Sequence, residues 1–329
     1  MTTLVTGASG FIGSAVVRRL LAEGRSVRVL VRAGSDRRNL DGLPVEIAIG
    51  DLARPASLRA AAAGCRALYH VAADYRLWVP RPEAMYRANV EGTRALLLAA
   101  AEAGVSRMVY TSSVAVLGLR QGGLPADEET PAQLDDMVGH YKRSKFLAEQ
   151  AVRELIGRHG LPAVIVQPSA PVGPRDVKPT PTGRMILEAA RGRMPGYVDT
   201  GLNLVHVDDV AEGHRLAGEH GRIGESYILG GENLTLEGIL RTVARLCGQR
   251  PPRYKIPYPA ALAAGVLATG WGLISGREPF VTLDGVRMSR KRMFFTAAKA
   301  ERELGFRSRP AEEGIADAIG WFRRQGYLS

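Results

Sequence analysis

A glycine-rich turn between a strand and a helix lies almost at the N-terminus and constrains the fold more than any other stretch. Residues 2–5 are short, apolar and β-branched, which predicts a buried strand. Residues 11–21 repeat apolar side chains at helical spacing. Gly7, Gly10 and Gly13 fall on the turn between them, in the spacing G-x-x-G-x-x-G. Such a turn, followed by a helix whose first N–H groups are free, predicts a site for the phosphates of a dinucleotide.

Each of the three glycines has its own expected task. Gly7 permits the tight turn, Gly10 lets the backbone approach a pyrophosphate, and Gly13 lets the helix pack close to the strand. The three glycines alone could also belong to a glycine-rich turn that binds no ligand. The strand before them and the helix after them favour a dinucleotide-binding turn. The expected cofactor contacts in this turn are Gly7, Ser9, Gly10, Phe11, Ile12 and Gly13.

Strand and helix patterns alternate through the first half of the chain. This alternation predicts an α/β fold with a Rossmann-type, doubly wound parallel sheet. Further strands are predicted at residues 27–31, 45–49, 67–71, 107–111 and 163–166, and helices at 55–63, 83–103 and 139–159. After Pro168 several prolines interrupt the pattern. We therefore predict an NAD(P)-binding domain at residues 1–168 and a smaller, partly interleaved substrate lobe at 169–329.

Composition excludes several classes of protein. Cys65 and Cys247 are the only cysteines, so neither a disulfide framework nor a cysteine metal site is expected. No secretory leader follows Met1, and a cytoplasmic location is expected. The net charge is +11, but the arginines are scattered and no nucleic-acid recognition motif accompanies them. Attraction to an anionic cofactor or to anionic lipid is the better interpretation of the charge.

The end of the second strand bears on the choice of cofactor. Enzymes that use NAD commonly place an acid there to bind the ribose hydroxyls, whereas this strand ends in Arg32 and Asp36 is displaced into the loop. A guanidinium suits a 2′-phosphate, which favours NADP(H) and leaves NAD(H) as the alternative; a solvated basic loop is the simpler interpretation. Further expected cofactor contacts lie at the ends of strands three and four and on the following helix: Asp51, Leu52, Val71, Ala72, Ala73 and Asn89.

A tyrosine and a lysine are spaced for acid–base chemistry. Tyr141 and Lys145 are four residues apart and share one face of a predicted helix. An ammonium beside a phenol lowers the pKa of the phenol, so Tyr141 could exchange a proton with a carbonyl or alcohol oxygen. Ser113, at the end of strand five, is expected to hold that oxygen, with Ser112 and Thr111 as alternates or cofactor contacts.

Taken in order, the glycine turn, the serines of strand five and Tyr-x-x-x-Lys resemble the extended short-chain dehydrogenase/reductase family. The resemblance covers residues 4 to about 210 and implies that Lys145 also bonds the nicotinamide ribose and that Pro168 and Ser169 flank the nicotinamide. A closer resemblance, over nearly the whole chain, is to proteins named hopanoid-associated sugar epimerases, relatives of dihydroflavonol 4-reductase. It is carried by residues 72–78, 135–141, 178–184, 197–203 and 231–235.

Three functions follow from these motifs. The first is reduction of an aldehyde or ketone by NADPH, on a sugar-like or polyol head group if the hopanoid resemblance holds. The second is epimerisation or dehydration of a nucleotide sugar, for which Arg175, Lys178, Arg184, Arg191 and Arg193 could bind the diphosphate. A non-enzymatic binding protein is the third, and the complete catalytic set argues against it. Arg32 favours the first. The expected substrate contacts are Asp74, Tyr75, Trp78, Ser113, Met137, His140, Ser169 and Met185.

Two surfaces are expected to contact other molecules. Relatives commonly form homodimers through helices that correspond to residues 83–103 and 139–159, and a homodimer is expected here.

Residues 260–275 carry no charge, and Lys255 and Arg277 flank them. We expect a buried helix of the small lobe; the alternative is a helix resting on a membrane, with Trp271 at the interface and the protein on the inner face of that membrane.

Overall fold

In residues 1–277, 279 and 281–328, which the computed structural model describes, seven parallel strands form the central sheet. The strands of the chain are β1 (Thr2–Thr6), β2 (Ser26–Val31), β3 (Val45–Ile49), β4 (Cys65–His70), β5 (Arg107–Thr111), β6 (Ala163–Pro168), β7 (Ala170–Val172), β8 (Gly196–Tyr197), β9 (Gly201–His206), β10 (Ser226–Leu229), β11 (Glu232–Thr235), β12 (Tyr254–Lys255) and β13 (Arg292–Met293). The order in the central sheet is β3-β2-β1-β4-β5-β6-β10, which confirms the predicted fold class.

Helices cover both faces of this sheet. They are α1 (Phe11–Ala22), α2 (Pro55–Ala62), α3 (Glu83–Tyr86), α4 (Gly92–Glu102), α5 (Gly139–His159), α6 (Pro181–Ala190), α7 (Val207–His220), α8 (Leu236–Leu246), α9 (Tyr258–Ser275), α10 (Leu283–Met288), α11 (Ala298–Leu304) and α12 (Ala311–Arg324). Successive strand residues point to opposite faces, so Leu4 packs in the apolar cluster with Leu58, Leu96 and Val152, while Val5 packs in the cluster on the other face. The inner strands β5 and β6 are buried on both sides, which explains their mostly apolar sequences, whereas Ile47 and Ile49 of the edge strand β3 are exposed.

One predicted helix differs from the structure in its middle. Residues 83–103 form α3 and α4, joined by a π-helical turn at Arg87–Glu91. Asn89 lies in this turn, and Gly92 just after it packs so closely that a Cβ there would lie 2.7 Å from Cβ of Leu52. Turns of this kind occur often at functional sites, and here the turn faces the loop after β4.

A second lobe surrounds β9. This strand pairs with β7, β11 and β13, and helices α6, α8 and α12 pack over an apolar cluster that includes Ile186, Ile239 and Ile315. The chain then contributes to both lobes, because β10 pairs with β6 and so belongs to the central sheet. The predicted domain boundary at residue 168 stays a prediction, and the sheet itself continues past it.

The uncharged run near the C-terminus is helical, but the expectation that it is buried is wrong. Only 17 % of α9 is buried, and its buried residues, Ala261, Gly265 and Gly272, are small. Trp271 is 69 % exposed and Ile274 is 81 % exposed. By length and composition alone, α9 is apolar enough to cross a membrane. The helix packs through its small residues on α10, and no other described element covers its large side chains.

Candidate active site

The glycine turn has the geometry of a phosphate-binding loop. Gly7 has a φ of +68°, and a Cβ on it would lie 2.6 Å from the backbone nitrogen of Ala72. A Cβ on Gly13 would lie 2.1 Å from the carbonyl oxygen of Gly7, so neither position accepts a side chain. Helix α1 begins at Phe11 without a side-chain cap and without an acid in its first turn. Its first N–H groups are therefore available to an anion.

A buried histidine, which sequence reasoning missed, ties this turn to the neighbouring loop. His70 Nδ1 lies 2.7 Å from Thr6 Oγ1, and His70 Nε2 lies 2.9 Å from Thr93 Oγ1. Thr6 Oγ1 also accepts a hydrogen bond of 3.2 Å from the backbone N–H of Ala72. Burial, with the charge of Lys145 in second place, lowers the pKa of His70 to about 3. The ring is thus neutral and positions the loop after β4; a histidine ending a buried strand was the available signal.

The side chain of Asn89 is hydrogen-bonded within the protein. Its Oδ1 accepts from the backbone N–H of Asp74 at 2.7 Å, and its Nδ2 donates to the carbonyl of Asp74 and to Ser144 Oγ, both at 2.9 Å. Ser144 Oγ in turn donates to the carbonyl of Tyr141 at 2.8 Å. The amide is therefore used within the protein. These bonds join the β4 loop to helix α5, and direct contact of Asn89 with the cofactor stays a prediction.

The loop after β2 begins with a cation, and the first acid that follows it is already paired. The Arg32 side chain is exposed and makes no hydrogen bond or ion pair to any part of the chain that the structure describes. Asp36 pairs with Arg38 at 2.7 Å, and the hydrogen bonds from Arg38 lower the pKa of Asp36 to about 2. The carboxylate that could have bound ribose hydroxyls is thus already paired. This loop fits a 2′-phosphate by charge.

The other predicted adenosine contacts lie at the same edge of the sheet. Asp51 Oδ1 accepts a hydrogen bond of 2.9 Å from the backbone N–H of Ala53, which fixes the turn after β3. Leu52 lies against Gly92, and the half-buried residues Val71, Ala72 and Ala73 follow β4 directly. Contact of these residues with a cofactor stays a prediction.

Tyr141 and Ser113 meet at the carboxyl end of β5. A hydrogen bond links the two hydroxyl groups; burial raises the pKa of Tyr141, and this bond opposes the increase. Ser113 Oγ also accepts from the backbone N–H of Ala115 at 3.1 Å, which fixes its side chain. At neutral pH the Tyr141 phenol therefore carries its proton. The structure brings together the proton donor and the hydroxyl that were expected to act on one oxygen.

Lys145 lies near this pair but does not contact Tyr141 as expected. Its Nζ donates to Tyr110 OH at 3.0 Å and to the carbonyl of Thr111 at 2.8 Å. Burial lowers the pKa of Lys145 to about 8, and the charge of Glu149 opposes this decrease. The expected lowering of the Tyr141 pKa by Lys145 is thus corrected: the lysine side chain enters the layer between α5 and the sheet, where a phenol and a carbonyl accept its protons.

A buried carboxylate supports this lysine, and the sequence analysis did not identify it. Glu149 lies one helical turn after Lys145, accepts from Arg153 Nη2 at 2.8 Å and accepts from Gln167 Nε2 at 3.0 Å. Burial, and then the charge of Glu149, raises the pKa of Tyr110 well above its usual value, so Tyr110 stays a phenol. The four-residue spacing from Lys145 to Glu149 to Arg153 was the available signal.

Two buried hydroxyl groups test whether the site fits a nicotinamide cofactor. Ser112 Oγ and Ser169 Oγ are buried, and neither has a hydrogen-bond partner among the described residues. Buried hydroxyl groups are normally bonded, so these two, after β5 and at the end of β6, fit a ligand with polar groups. Thr111 differs, because its Oγ1 lies 2.9 Å from His214 Nε2. With Pro168 closing β6, Ser112 and Ser169 would contact the nicotinamide end of a dinucleotide.

The residues predicted to bind substrate have varied surroundings. Asp74 pairs with Arg76 at 2.5 Å, and Tyr75, 42 % exposed, follows it on the same loop with half-buried Trp78. Met137 is buried just before α5. The exposed His140 ring meets the Tyr86 ring edge-on at 5.9 Å, and Met185 packs against the apolar cluster of the second lobe. Their contact with substrate stays a prediction.

Part of the proposed diphosphate site is occupied by carboxylates of the protein itself. Arg175 forms an ion pair with Asp208. Arg191 and Arg193 both pair with Glu188, at 2.6 and 3.7 Å. These three guanidinium groups are less available to a nucleotide diphosphate than the sequence suggested.

Comparison with known proteins gives consistent relatives. The model of the NAD dependent epimerase/dehydratase family matches residues 3–230. A protein of Synechocystis sp. provisionally named dihydroflavonol 4-reductase is 44% identical, over 98% of this chain and 95% of its own length. Sterol demethylase protein B of Methylococcus capsulatus is 36% identical over 100% of both chains. A 4-hydroxy-2-methyl-3-oxo-4-farnesyl-3,4-dihydroquinoline-1-oxide ketoreductase of Stigmatella aurantiaca is 33% identical, over 97% of this chain and 96% of its own.

Solved structures share the whole fold. The crystal structure of gox2253 superposes with a TM-score of 0.90 at 55% identity, covering 100% of this chain and 99% of the other. DesIV, a dTDP-glucose 4,6-dehydratase from Streptomyces venezuelae solved with NAD and TYD bound, superposes with a TM-score of 0.80 at 26% identity, over 100% and 99% of the two chains.

Proposed function

Because the chain belongs to the NAD dependent epimerase/dehydratase family, we propose that it is an NADP(H)-dependent reductase of an aldehyde or ketone. The family contains NAD(P)-dependent oxidoreductases, epimerases and dehydratases of the extended short-chain type. To this family assignment the proposal adds that the reaction is a reduction, that NADP(H) is the preferred cofactor, and what class of substrate is reduced. We place the carbonyl on a sugar-like or polyol head group of an apolar lipid, in hopanoid biosynthesis.

One observation carries the choice of a reductase. Arg32 stands at the end of β2 with its guanidinium unpaired among the described residues, and the nearest loop acid, Asp36, is bound to Arg38. A 2′-phosphate fits that cation by charge-assisted hydrogen bonds. An enzyme that consumes reducing equivalents is served by NADPH, whereas one that returns its hydride to the same substrate molecule has no need of it.

The catalytic residues would act in the following way. NADPH, when bound, supplies the hydride for the carbonyl carbon. Tyr141, protonated because burial raises its pKa, donates its proton to the carbonyl oxygen, and Ser113 holds that oxygen by a second hydrogen bond. The ammonium of Lys145 binds the nicotinamide ribose and is kept in place by Tyr110 and the carbonyl of Thr111. Closure of the second lobe around the substrate would exclude water.

The names of two relatives support the substrate class. The ketoreductase of Stigmatella aurantiaca is named for a substrate with a farnesyl group, and the Methylococcus capsulatus protein is named for sterols. Both substrates are large and mostly apolar. For this chain we propose an aldehyde or ketone whose polar head reaches Tyr141 and whose apolar tail lies along the loop at Tyr75 and Trp78.

A nucleotide-sugar epimerase or dehydratase is the second candidate. The observation that favours it is the likeness in fold, over the whole chain, to a dehydratase with NAD bound. The ion pairs of Arg175, Arg191 and Arg193 speak against a diphosphate site in the second lobe. In that case the cofactor would be recovered in each turnover, and NAD(H) would serve as well as NADP(H).

Cofactor binding and product analysis test the proposal. We expect NADPH to bind at least ~10-fold more tightly than NADH, and Arg32→Ala to remove most of that difference. Arg158→Ala, an exposed charge at the far end of α5, is the matched control and should leave both dissociation constants unchanged. Incubation with NADPH and lipid aldehydes, followed by mass spectrometry, should give alcohols with equal loss of NADPH. Turnover of a nucleotide sugar without net loss of NADPH would contradict the proposal.

We also propose a homodimer, formed through α4 and α5. Leu96, Leu97 and Val152 are buried within the chain, and half-buried Phe146 and Leu147 remain for a partner. Light scattering at micromolar concentration should give twice the mass of one chain, and the mass of one chain would contradict this.

A further inference from the structure

We propose that α9 and its basic flanks form a docking surface for an anionic membrane. The docking surface comprises the exposed face of α9 and the cations of residues 250–255 and 277–293. This surface is independent of the catalytic residues described above. The proposal concerns where the protein works and does not depend on which reaction it performs.

The exposed side of α9 is apolar and continuous. Val266, Leu267, Trp271, Leu273 and Ile274 are between 52% and 81% exposed. Of the twelve large apolar residues that are exposed in the described chain, these five lie within one helix of 18 residues. Patches of this kind, unlike single exposed apolar residues, mark contacts with proteins or membranes.

The opposite side of α9 holds the helix on the protein. A Cβ on Gly265 would lie 3.0 Å from Val286 Cγ2, and Thr269 Oγ1 accepts a hydrogen bond of 2.9 Å from the backbone N–H of Leu283. The helix is therefore packed on α10 through small residues along one side. A helix fixed in this way lies along a membrane surface with its outer face in the acyl boundary, and it does not cross the bilayer.

Charge identifies the partner as an anionic surface. Between residues 250 and 293 there are eight arginine and lysine residues and two acidic residues, so 8 − 2 = +6 of the net charge of +11 lies in this segment. Lys255 and Arg292 pair with Asp199, and Arg287 pairs with Asp284, so the attraction comes mainly from the remaining cations. Arg290 lies over the Tyr258 ring at 5.6 Å and has no acidic partner among the described residues. A second copy of this chain would bring the same cations face to face, whereas anionic lipid attracts them.

The docking surface is connected to the catalytic helix through α10. A Cβ on Gly139, two residues before Tyr141, would lie 3.2 Å from Asp284 Oδ2 of α10. Lys142 Nζ lies 4.0 Å from Met293 Sδ on β13, just beyond α10. The body of α9 and then α10 therefore lie between the apolar face of α9 and the start of α5. If the proposed function holds, a lipid substrate could reach Tyr141 while its tail stays in the membrane.

Sedimentation with vesicles tests the docking surface. The full chain should bind vesicles of phosphatidylcholine and phosphatidylglycerol at low salt, bind much less to phosphatidylcholine alone, and dissociate as salt rises. Leu267→Asp/Trp271→Ala should lower the partition coefficient at least ~10-fold, and Arg277→Glu/Arg290→Glu should lower it by a similar factor. Thermal melting should be unchanged in both, because all four side chains face solvent.

The matched control is Ile223→Asp, since Ile223 is 55% exposed outside α9. Its partition coefficient should equal that of the wild type. The proposal is overturned if the wild type does not bind anionic vesicles at low salt, or if Ile223→Asp binds as weakly as the α9 variant. It is also overturned if light scattering shows that the α9 variant changes from dimer to monomer, because α9 would then contact a second copy. Since NADPH binding is measured separately, failure of docking and failure of the proposed reductase are distinguishable.

Discussion

Strand β6 and helix α9 are both apolar runs, and their surroundings are opposite. All six residues of β6 are buried, whereas α9 buries three of its 18 residues. The strand pairs with β5 on one side and β10 on the other, and its side chains enter apolar clusters on both faces of the sheet. Helix α9 has a single described neighbour with which it packs closely, α10. Apolar composition alone therefore does not decide burial.

The difference has a physical cause. A strand in the middle of a parallel sheet must be covered on both faces, because helices return the chain across each face between strands. A helix needs only one covered stripe. In α9 that stripe consists of alanine and glycine, and the large side chains lie on the uncovered sides. This distribution is the reverse of that expected of a core helix, and the predictions below test the contrast.

The largest expected effect is on stability, in the buried strand. Ile165→Ala removes a side chain that is 0% exposed, and we expect the free energy of unfolding to fall by about 3 kcal/mol because a cavity remains. Chemical denaturation followed by circular dichroism measures this change. Ile165→Val, which removes one methylene group, should cost about 1 kcal/mol. Equal stability of the alanine variant and the wild type would contradict the described packing.

The buried region should also carry the chemistry. Tyr141→Phe keeps the ring and removes the proton donor, so turnover should fall at least ~100-fold while NADPH affinity changes little. Tyr86→Phe is the control, because its hydroxyl contacts His140 at the surface, 3.2 Å away. Turnover within a few-fold of the wild type in Tyr141→Phe would remove Tyr141 from the mechanism.

Buried Lys145 should make NADPH binding depend on pH, and exposed α9 should not contribute to that dependence. Burial lowers the pKa of Lys145 to about 8, so its ammonium is present below that pH and is lost as the pH rises through it. Above pH 8 the NADPH dissociation constant should therefore increase, by at most about tenfold per pH unit. Titrations with Lys145→Met should show weak binding without this dependence. The same pH profile in the variant would assign the effect to another group.

The smallest effect is expected at α9. Leu267→Ala truncates a side chain that is 74% exposed, and the free energy of unfolding should change by less than about 0.5 kcal/mol. Turnover of a water-soluble substrate should not change. The same denaturation experiment measures the free energy of unfolding. A decrease in it close to that of Ile165→Ala would show that other parts of the protein cover α9, which would contradict the described difference from β6.

The outline of the central sheet was predictable from the sequence because its signals are local. β3, β5 and α5 have the predicted bounds, and the other predicted elements of the first half agree within a few residues, apart from the π-helical turn. The glycine turn was predictable for the same reason, since its strand, turn and helix are adjacent in the chain. The seventh strand, β10, was not predicted: it is four residues long, and only its pairing with β6 gives it a place.

The α/β alternation, the phosphate-binding turn and the residue types of the catalytic set can be predicted from the amino-acid sequence, since they follow from backbone geometry and from spacings of a few residues. Which partner each side chain contacts depends on the tertiary fold. Lys145 was expected beside Tyr141 and instead contacts Tyr110, because burial between α5 and β5 brings a phenol and a carbonyl to its Nζ. The exposure of α9 also depends on the tertiary fold. Whether a helix is covered is set by contacts with residues far away in the chain, and a local sequence pattern does not predict such contacts.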